Sequence, residues 1–213
     1  MIHLYAFAPA GTPLPVAAGI GGGLLDAHCV ADVAAVVSTV VPEDAPAVDR
    51  DAVVAHGLVV ERLREVADAV LPVRFGERFA DRDELVGAVG DRIPALRESL
   101  VRVRGCAEFA VRLLAPKDPV ESEGATDGST YMRVRLAALE RAKAVAGELH
   151  EPLSRWARAS VATSGRDHGV AYLVGNGERA PFEAALAAFV DAHPDVTVVC
   201  TGPWAPYSFV EAR

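Results

Sequence analysis

The chain has 213 residues, of which 51% are hydrophobic and 23% are charged, and its formal net charge is −8. This composition is typical of one large globular domain or two small ones, and it excludes an intrinsically disordered chain. The acidic balance argues against a nucleic-acid-binding surface, which needs a basic patch. No apolar run reaches the roughly 18 uncharged residues of a spanning helix, and no basic signal segment is found, so we expect no membrane contact and a cytoplasmic location.

The first half of the sequence predicts strands followed by helices. Pro94 falls inside the last helical pattern and should divide it. The glycine cluster at 19–23 lacks the Lys-Ser/Thr pair of a phosphate-binding loop, so we interpret it as a turn. From hydrophobic periodicity, the predicted elements are strands 2–7, 24–30 and 33–41 and helices 52–69 and 83–100.

The second half predicts a strand–helix–strand–helix–strand order. Gly105 separates the halves, and we expect two domains, 1–104 and 105–213. The order fits a ferredoxin-like sandwich, although periodicity alone also allows other α/β arrangements. Gly202 and Pro203 should end the last strand. The predicted elements are strand 106–114, loop 116–129, a helix from 130 to about 162, strand 169–174, turn 175–177, a helix from Pro181, and strand 196–200.

Two short segments combine proline and glycine residues with aromatic side chains. The mid-chain segment contributes Leu71, Pro72, Arg74, Phe75 and Gly76. The C-terminal segment contributes Gly202, Pro203, Trp204, Pro206, Tyr207 and Phe209. We expect the C-terminal segment to be packed, because a disordered tail would not concentrate bulky apolar groups in this way.

These two segments resemble signatures of the gas vesicle accessory family GvpL/GvpF. The opening strand at 4–7 and the Gly-Ser-Thr-Tyr-Met run at 128–132 resemble two further landmarks of that family, and all four occur in the family's order. The resemblance favours an α+β fold of two sub-domains. The N-terminal one would be mixed α+β, and the C-terminal one a ferredoxin-like α/β sandwich.

Arg74 and Trp204 each have two interpretations. Arg74 either forms an internal salt bridge or clamps a carboxylate of a partner. Trp204 is expected to be a buried structural clasp held between two prolines, and the alternative is an exposed partner contact.

The sequence offers no convincing active site. It contains no Gly-x-Ser-x-Gly elbow and no His pair with metal-ligand spacing, so we expect no catalytic residue, no metal and no cofactor. His56 is interpreted as a packed or hydrogen-bonded helical residue. The widely spaced cysteines are interpreted as small buried hydrophobic residues: Cys29, Cys106 and Cys200.

The resemblance implies a non-enzymatic accessory protein of gas vesicle assembly, located at the gas vesicle in the cytoplasm. It implies binding to the small hydrophobic shell protein GvpA, with other gas vesicle accessory proteins as further partners, and it places the candidate shell-protein-binding part in residues 1–104. The alternative is a ferredoxin-like small-ligand-binding or regulatory module, with its ligand near the turn at 175–177.

Overall fold

A computed structural model of the chain describes residues 1–40, 50–114, 128–163, 169–194 and 196–210. It confirms the predicted α+β class: the strands form two sheets, and the helices pack against them. The strands are β1 Ile2–Pro9, β2 Leu25–Val30, β3 Val33–Thr39, β4 Leu71–Pro72, β5 Arg78–Phe79, β6 Cys106–Leu114, β7 Ala159–Ala162, β8 Gly169–Gly175 and β9 Thr197–Trp204. The helices are α1 Arg50–Val66, α2 Arg82–Gly90, α3 Ile93–Val103, α4 Gly128–Ser154 and α5 Arg179–Ala192.

The chain forms two compact units. The first contains Met1–Ala107 together with Trp204–Arg213, and the second is Glu108–Pro203. The chain therefore leaves the first unit along β6 and returns to it at the end of β9. This differs from the expected split, in which residues 105–213 form the second domain.

The first unit is built on an antiparallel sheet whose strands follow the order β2-β3-β1-β4, with β5 also paired to β1. Pro72 lies in the edge strand β4, where its missing N–H costs no ladder hydrogen bond. The side chains of Tyr5 and Ala6 join a buried cluster with α1. Leu4 and Phe7 instead line a cleft with α2. Strand β1 is buried along almost its whole length because helices cover it from both sides.

The second unit has the ferredoxin-like topology. Its elements run β6-α4-β7-β8-α5-β9, and its sheet order is β7-β8-β6-β9. Strand β7 was missed, because the predicted long helix continued to about residue 162. Helix α4 ends at Ser154, two residues after Pro152, and β7 begins at Ala159. On α4, Leu149 and Leu153 are buried.

Other predicted boundaries differ in informative ways. The helical pattern near Pro94 does divide, and Pro94 lies in the first turn of α3, where a proline is well tolerated. The expectation that Gly202 and Pro203 end the last strand is wrong, since β9 runs through them to Trp204. Strand β9 is an edge strand, so Pro203 needs no outward ladder donor.

The cysteines lie on strands, but the expectation that they are buried is wrong for Cys29 and only partly met by the other two. Cys29 on β2 is exposed, and Cys106 and Cys200 are half-buried. No helix in the described part of the chain is long and apolar enough to cross a membrane.

Candidate functional site

The mid-chain segment forms the edge of the first sheet. Leu71 and Pro72 are buried and pair with Phe7 and Ala6 of β1. Gly76 has a φ of +108°, a left-handed value that favours glycine, and it turns the chain from β4 towards β5. The segment therefore consists of the short strand β4 and the turn that connects it to β5.

Beneath this edge lies a buried aromatic cluster of His3, Tyr5, His56 and Phe75. The rings of Tyr5 and His56 are stacked with centroids 5.2 Å apart, and the rings of His3 and His56 meet edge-on at 5.1 Å. Phe75 lies 5.6 Å from His3 and 5.8 Å from His56. This cluster ties the mid-chain segment to both β1 and α1, and it confirms that His56 is packed.

The hydrogen bonds of the two histidines fix where their protons sit. His56 Nε2 lies 2.8 Å from the Val73 carbonyl oxygen, which can only accept, so Nε2 carries the hydrogen. In neutral His56 the other nitrogen, Nδ1, is then an acceptor, and it receives a hydrogen bond from His3 Nε2 at 2.9 Å. The pair is satisfied with both rings neutral.

Burial holds both imidazoles in that neutral state. Desolvation, with smaller contributions from the charges of His56 and Arg78, lowers the pKa of His3 to about 4. Desolvation also lowers the pKa of His56. Two neutral, hydrogen-bonded histidines inside a core indicate a structural role and not a general base.

The glycine-rich turn packs on Tyr5. The Ile20 N–H donates to the Tyr5 hydroxyl at 2.7 Å, and that hydroxyl lies 2.8 Å from Ser38 Oγ. A Cβ at Gly19 would lie 2.7 Å from both the Ser38 and the Tyr5 oxygen. Gly19 is therefore needed for the turn to lie against the Tyr5 and Ser38 hydroxyls. The glycine cluster at 19–23 is a turn, as predicted, and it is packed.

Arg74 does not form the expected internal salt bridge. Its side chain is exposed, and it makes no hydrogen bond or ion pair with any described residue. The neighbouring Phe75 faces the core, so the two side chains point in different directions. A partner clamp is the interpretation that stays open for Arg74.

The C-terminal segment is anchored on α1 and α3. The Ala205 N–H donates to Glu61 Oε1 at 2.8 Å, and Arg64 Nε donates to the other oxygen of Glu61 at 2.8 Å. Further along, Arg102 Nη2 donates to the Phe209 carbonyl oxygen at 3.0 Å. Ala205 is fully buried, and Phe209 is almost fully buried. The expectation of a packed segment is thus correct.

The residue that we expected to be the clasp is nevertheless exposed. Trp204 keeps 46% of its surface accessible, and Tyr207 keeps 38%. Adjacent residues of an extended chain point to opposite sides, so the inward turn of Ala205 directs Trp204 outward. The prediction that Trp204 is buried is wrong. Ala205, Pro206 and Phe209 fill the core instead.

Tyr207 lies beside the same anchoring carboxylate. Burial and the nearby charge of Glu61 raise the pKa of Tyr207 to about 12, although 38% of the residue is open to solvent. The ring is thus held at the surface of the first unit next to α1, and its hydroxyl stays protonated at neutral pH.

Gly202 serves the second unit. Its φ is +134°, and a Cβ at this position would lie 2.6 Å from the Glu108 carbonyl oxygen. Only glycine allows β9 to pass so close to β6. The C-terminal signature is therefore shared, with Gly202 and Pro203 in the second unit and Trp204 onward in the first.

The turn at 175–177 is filled by the chain itself. The Glu178 N–H donates to the Gly175 carbonyl at 3.0 Å, and a Cβ at Gly175 would collide with the Glu178 carboxylate. The Arg158 guanidinium lies there too, 3.4 Å from such a Cβ, so side chains of the chain itself occupy the space at this turn. In the described ranges, no group of three or more His, Cys, Asp or Glu side chains is placed to hold a metal ion.

The two signatures support one apolar core. Ala205 is a member of the buried cluster that α1 forms with β1, and Phe75 packs against the same cluster. Sequence reasoning missed His3, Tyr5, Ser38 and Glu61 as their partners. A signal was available for β1, where His3 and Tyr5 alternate within an otherwise apolar strand, but nothing local marks Glu61.

Comparisons with known proteins agree with this architecture. The family profile "Gas vesicle synthesis protein GvpL/GvpF" matches residues 1–211. Gas vesicle protein F2 of Halobacterium salinarum is 32% identical over 215 residues, which cover 98% of this chain and 92% of that protein. Gas vesicle protein L2 of the same organism is 33% identical over 193 residues, which cover 73% of this chain and 69% of that protein.

Solved structures share the fold. The crystal structure of gas vesicle protein GvpF from Anabaena sp. superposes with a TM-score of 0.83 at 17% identity, covering 100% of this chain and 96% of that one. The GvpF structure from Microcystis aeruginosa gives 0.80 at 16% identity, covering 99% of each chain. Fold and sequence together define a two-unit α+β protein of the gas vesicle system. The chain belongs to the GvpL/GvpF family of gas vesicle synthesis proteins.

Proposed function

We propose that this protein is a non-enzymatic accessory factor that binds the small hydrophobic shell protein GvpA while the gas vesicle wall is nucleated or extended. Membership of the GvpL/GvpF family supports a role in gas vesicle synthesis. The packed, neutral histidine pair supports a role in binding over catalysis, and the filled turn at Gly175 argues against a small-ligand site there. We place the protein at the gas vesicle in the cytoplasm, and we expect other gas vesicle accessory proteins among its partners.

The observation that carries the proposal is the exposure of Trp204 on a segment whose neighbours are buried. Tryptophan and tyrosine are enriched at the centres of protein–protein interfaces, and a rigid backbone lowers the entropy lost when they bind. Ala205 and Phe209 anchor the backbone around Trp204 and Tyr207. Arg74, exposed and without an ion pair in the described ranges, adds a contact for a carboxylate of the partner.

We propose further that the shell protein binds to the first unit, which contains residues 1–104 and the segment that starts at Trp204. This keeps the N-terminal half as the binding part. It adds the C-terminal segment, because Ala205 belongs to the buried cluster of α1 and β1, and Phe209 is buried in the same unit. A fragment that ends at residue 104 would lack those two side chains.

The proposal is tested by co-expressing the tagged full chain with the shell protein and measuring the shell protein that is retained. Trp204→Ala is compared with Trp156→Ala, because Trp156 is 40% exposed but lies in the second unit. We expect Trp204→Ala to reduce retention several-fold and Trp156→Ala to leave it unchanged.

Thermal unfolding of the same samples separates binding from folding. Both tryptophans are substantially exposed, so each change should shift Tm by no more than about 2 °C. Failure of the unaltered chain to retain any shell protein would refute the proposed function. Equal losses for the two variants would refute the assignment to the first unit.

A further inference from the structure

A cleft of about 560 Å³ opens in the first unit between β1, β5 and α2. Its volume lies within the range of roughly 300–1,000 Å³ that ligand-binding clefts occupy. The floor is formed by Leu4, Phe7 and Val89, which expose no more than 3% of their surfaces. Phe79 and the exposed Ala88 complete the walls. The interior is therefore apolar and suits an apolar side chain.

One rim of the cleft carries a positive charge that the described chain does not neutralise. The Arg92 guanidinium lies 6.0 Å from the Phe7 ring centroid, a cation–π distance. Arg92 is half-buried, and no described carboxylate pairs with it. Glu77 and Arg78 line the other side of the cleft, and each takes part in another interaction within the chain.

The backbone contributes no net preference at this rim. Helix α2 ends at Gly90 and α3 begins at Ile93, so the partly negative end of one helix lies beside the partly positive end of the other. The Arg92 guanidinium, which pairs with no described carboxylate, is therefore the charge that a ligand meets beside the apolar floor of the cleft. A carboxylate next to a large apolar group matches both features.

We propose that this cleft binds a segment of the shell protein in which an acidic residue lies next to a large apolar one. The apolar side chain enters over Leu4 and Phe7, and the carboxylate pairs with Arg92. The identity of the partner rests on the proposed function, whereas the location and chemistry of the cleft do not depend on it.

The test uses the full chain and fluorescent 15-residue peptides that tile the shell protein, together with retention of the intact shell protein. Two variants alter the cleft: Arg92→Glu reverses its charge, and Ala88→Trp fills it. Two matched controls lie elsewhere on exposed positions of the same helices: Arg82→Glu on α2 and Ala95→Trp on α3. Thermal unfolding verifies that all four variants fold.

We expect at least one peptide that contains adjacent acidic and apolar residues to bind. Arg92→Glu should weaken its binding roughly tenfold or more, since a charge-assisted pair is lost and a repulsion is added. Ala88→Trp should weaken binding to a similar degree, and both controls should stay within about twofold. Replacing the peptide's acidic residue by lysine should restore binding to Arg92→Glu.

Three outcomes would overturn the inference. If peptides and intact shell protein bind all variants equally, the cleft is not the site, while the proposed function stands. If neither binds the unaltered chain, both proposals fall. Decanoate supplies a carboxylate on an apolar body without a protein. If decanoate shifts the NMR signals of the Leu4 and Val89 methyl groups while neither the peptides nor the intact shell protein does so, the cleft takes small apolar acids and not a protein segment.

Discussion

At the scale of single residues, the clearest constraint is the buried pair of His3 and His56. The Val73 carbonyl fixes the proton on His56 Nε2, and that choice in turn fixes the proton on His3 Nε2. If both rings were protonated, two N–H groups would face each other across 2.9 Å. The core can therefore take up at most one proton here without losing the hydrogen bond between the rings.

This pair predicts loss of stability in mild acid. The pKa of His3 is about 4 in the folded chain and about 6.5 when unfolded, so the unfolded chain binds more protons between these values. The contribution of His3 to the free energy of unfolding is fully present above about pH 6.5. It falls as the pH drops towards 4, by at most about 1.4 kcal/mol per pH unit for each proton that the unfolded chain takes up. Urea unfolding at pH 7.5 and pH 5.0 measures this loss.

The matched variants are His3→Gln and His28→Gln. Glutamine at position 3 can still donate towards His56 but cannot titrate, so the difference in stability between the two pH values should shrink. His28 lies on the edge strand β2 beside exposed Asp26, and its replacement should leave most of the difference in place. The same pH dependence in all three proteins would show that the buried pair does not control it.

Sequence reasoning reached half of this cluster. The position of His56 at helical spacing, without a second histidine at metal-ligand spacing, indicates a packed histidine, which is correct. The partner of His56 could not be predicted, because His3 is 53 positions away and the contact depends on how β1 lies against α1. Arg74 shows the same limit, since no local pattern distinguishes a guanidinium that pairs internally from one that stays exposed.

At the scale of elements, the C-terminal segment acts through its small and inward-facing residues. Phe209→Ala should lower the free energy of unfolding by about 3–5 kcal/mol, because a buried aromatic ring is lost and a cavity remains. Trp204→Ala should cost less than about 1 kcal/mol, because that ring is 46% exposed. Chemical denaturation of both variants measures the difference, and a larger loss for Trp204→Ala would restore its role as the clasp.

The elements that sequence reasoning missed have physical explanations. The predicted helix extends to about residue 162 because Trp156 keeps the helical spacing of the apolar residues Leu149 and Leu153. The structure ends α4 just after Pro152 and forms β7 from Ala159, where pairing with β8 outweighs local propensity. Pro203 in β9 is tolerated for a related reason: edge strands need ladder donors on one side only.

At the scale of the whole molecule, the second unit is inserted into the first. The chain leaves along β6 and returns along β9, and these strands are neighbours in one sheet. Gly202 and Glu108 are close enough for a Cβ on Gly202 to lie 2.6 Å from the Glu108 carbonyl oxygen. The two ends of the insertion are therefore side by side, which is the geometry that domain insertion favours.

This arrangement predicts that the insertion can be removed. A protein in which residues 1–107 are joined by a short Gly/Ser linker to residues 204–213 should fold. Its Tm should exceed that of residues 1–107 alone by roughly 10 °C or more, because Ala205 and Phe209 return to the core. Circular dichroism melting compares the two fragments.

A third fragment provides the control for that comparison. The same joined fragment carrying Phe209→Ala should lose most of the gain in Tm, since the linker is unchanged and only the buried ring is missing. If residues 1–107 alone melt at the same temperature as the joined fragment, the C-terminal segment contributes nothing to the first unit.

The insertion also sets an order of events on the ribosome. Strands β1 to β5 and helices α1 to α3 are synthesised first, but Ala205 and Phe209, which complete their core, emerge only after the whole second unit has been translated. Until then the Glu61 carboxylate lacks the Ala205 N–H that it binds in the finished protein. The first unit thus has an open apolar site on α1 while about 100 further residues are added, which takes roughly 5–20 seconds. A chain that stops before Trp204 would keep that site open, so the first unit reaches its final surface only after the second unit has been translated.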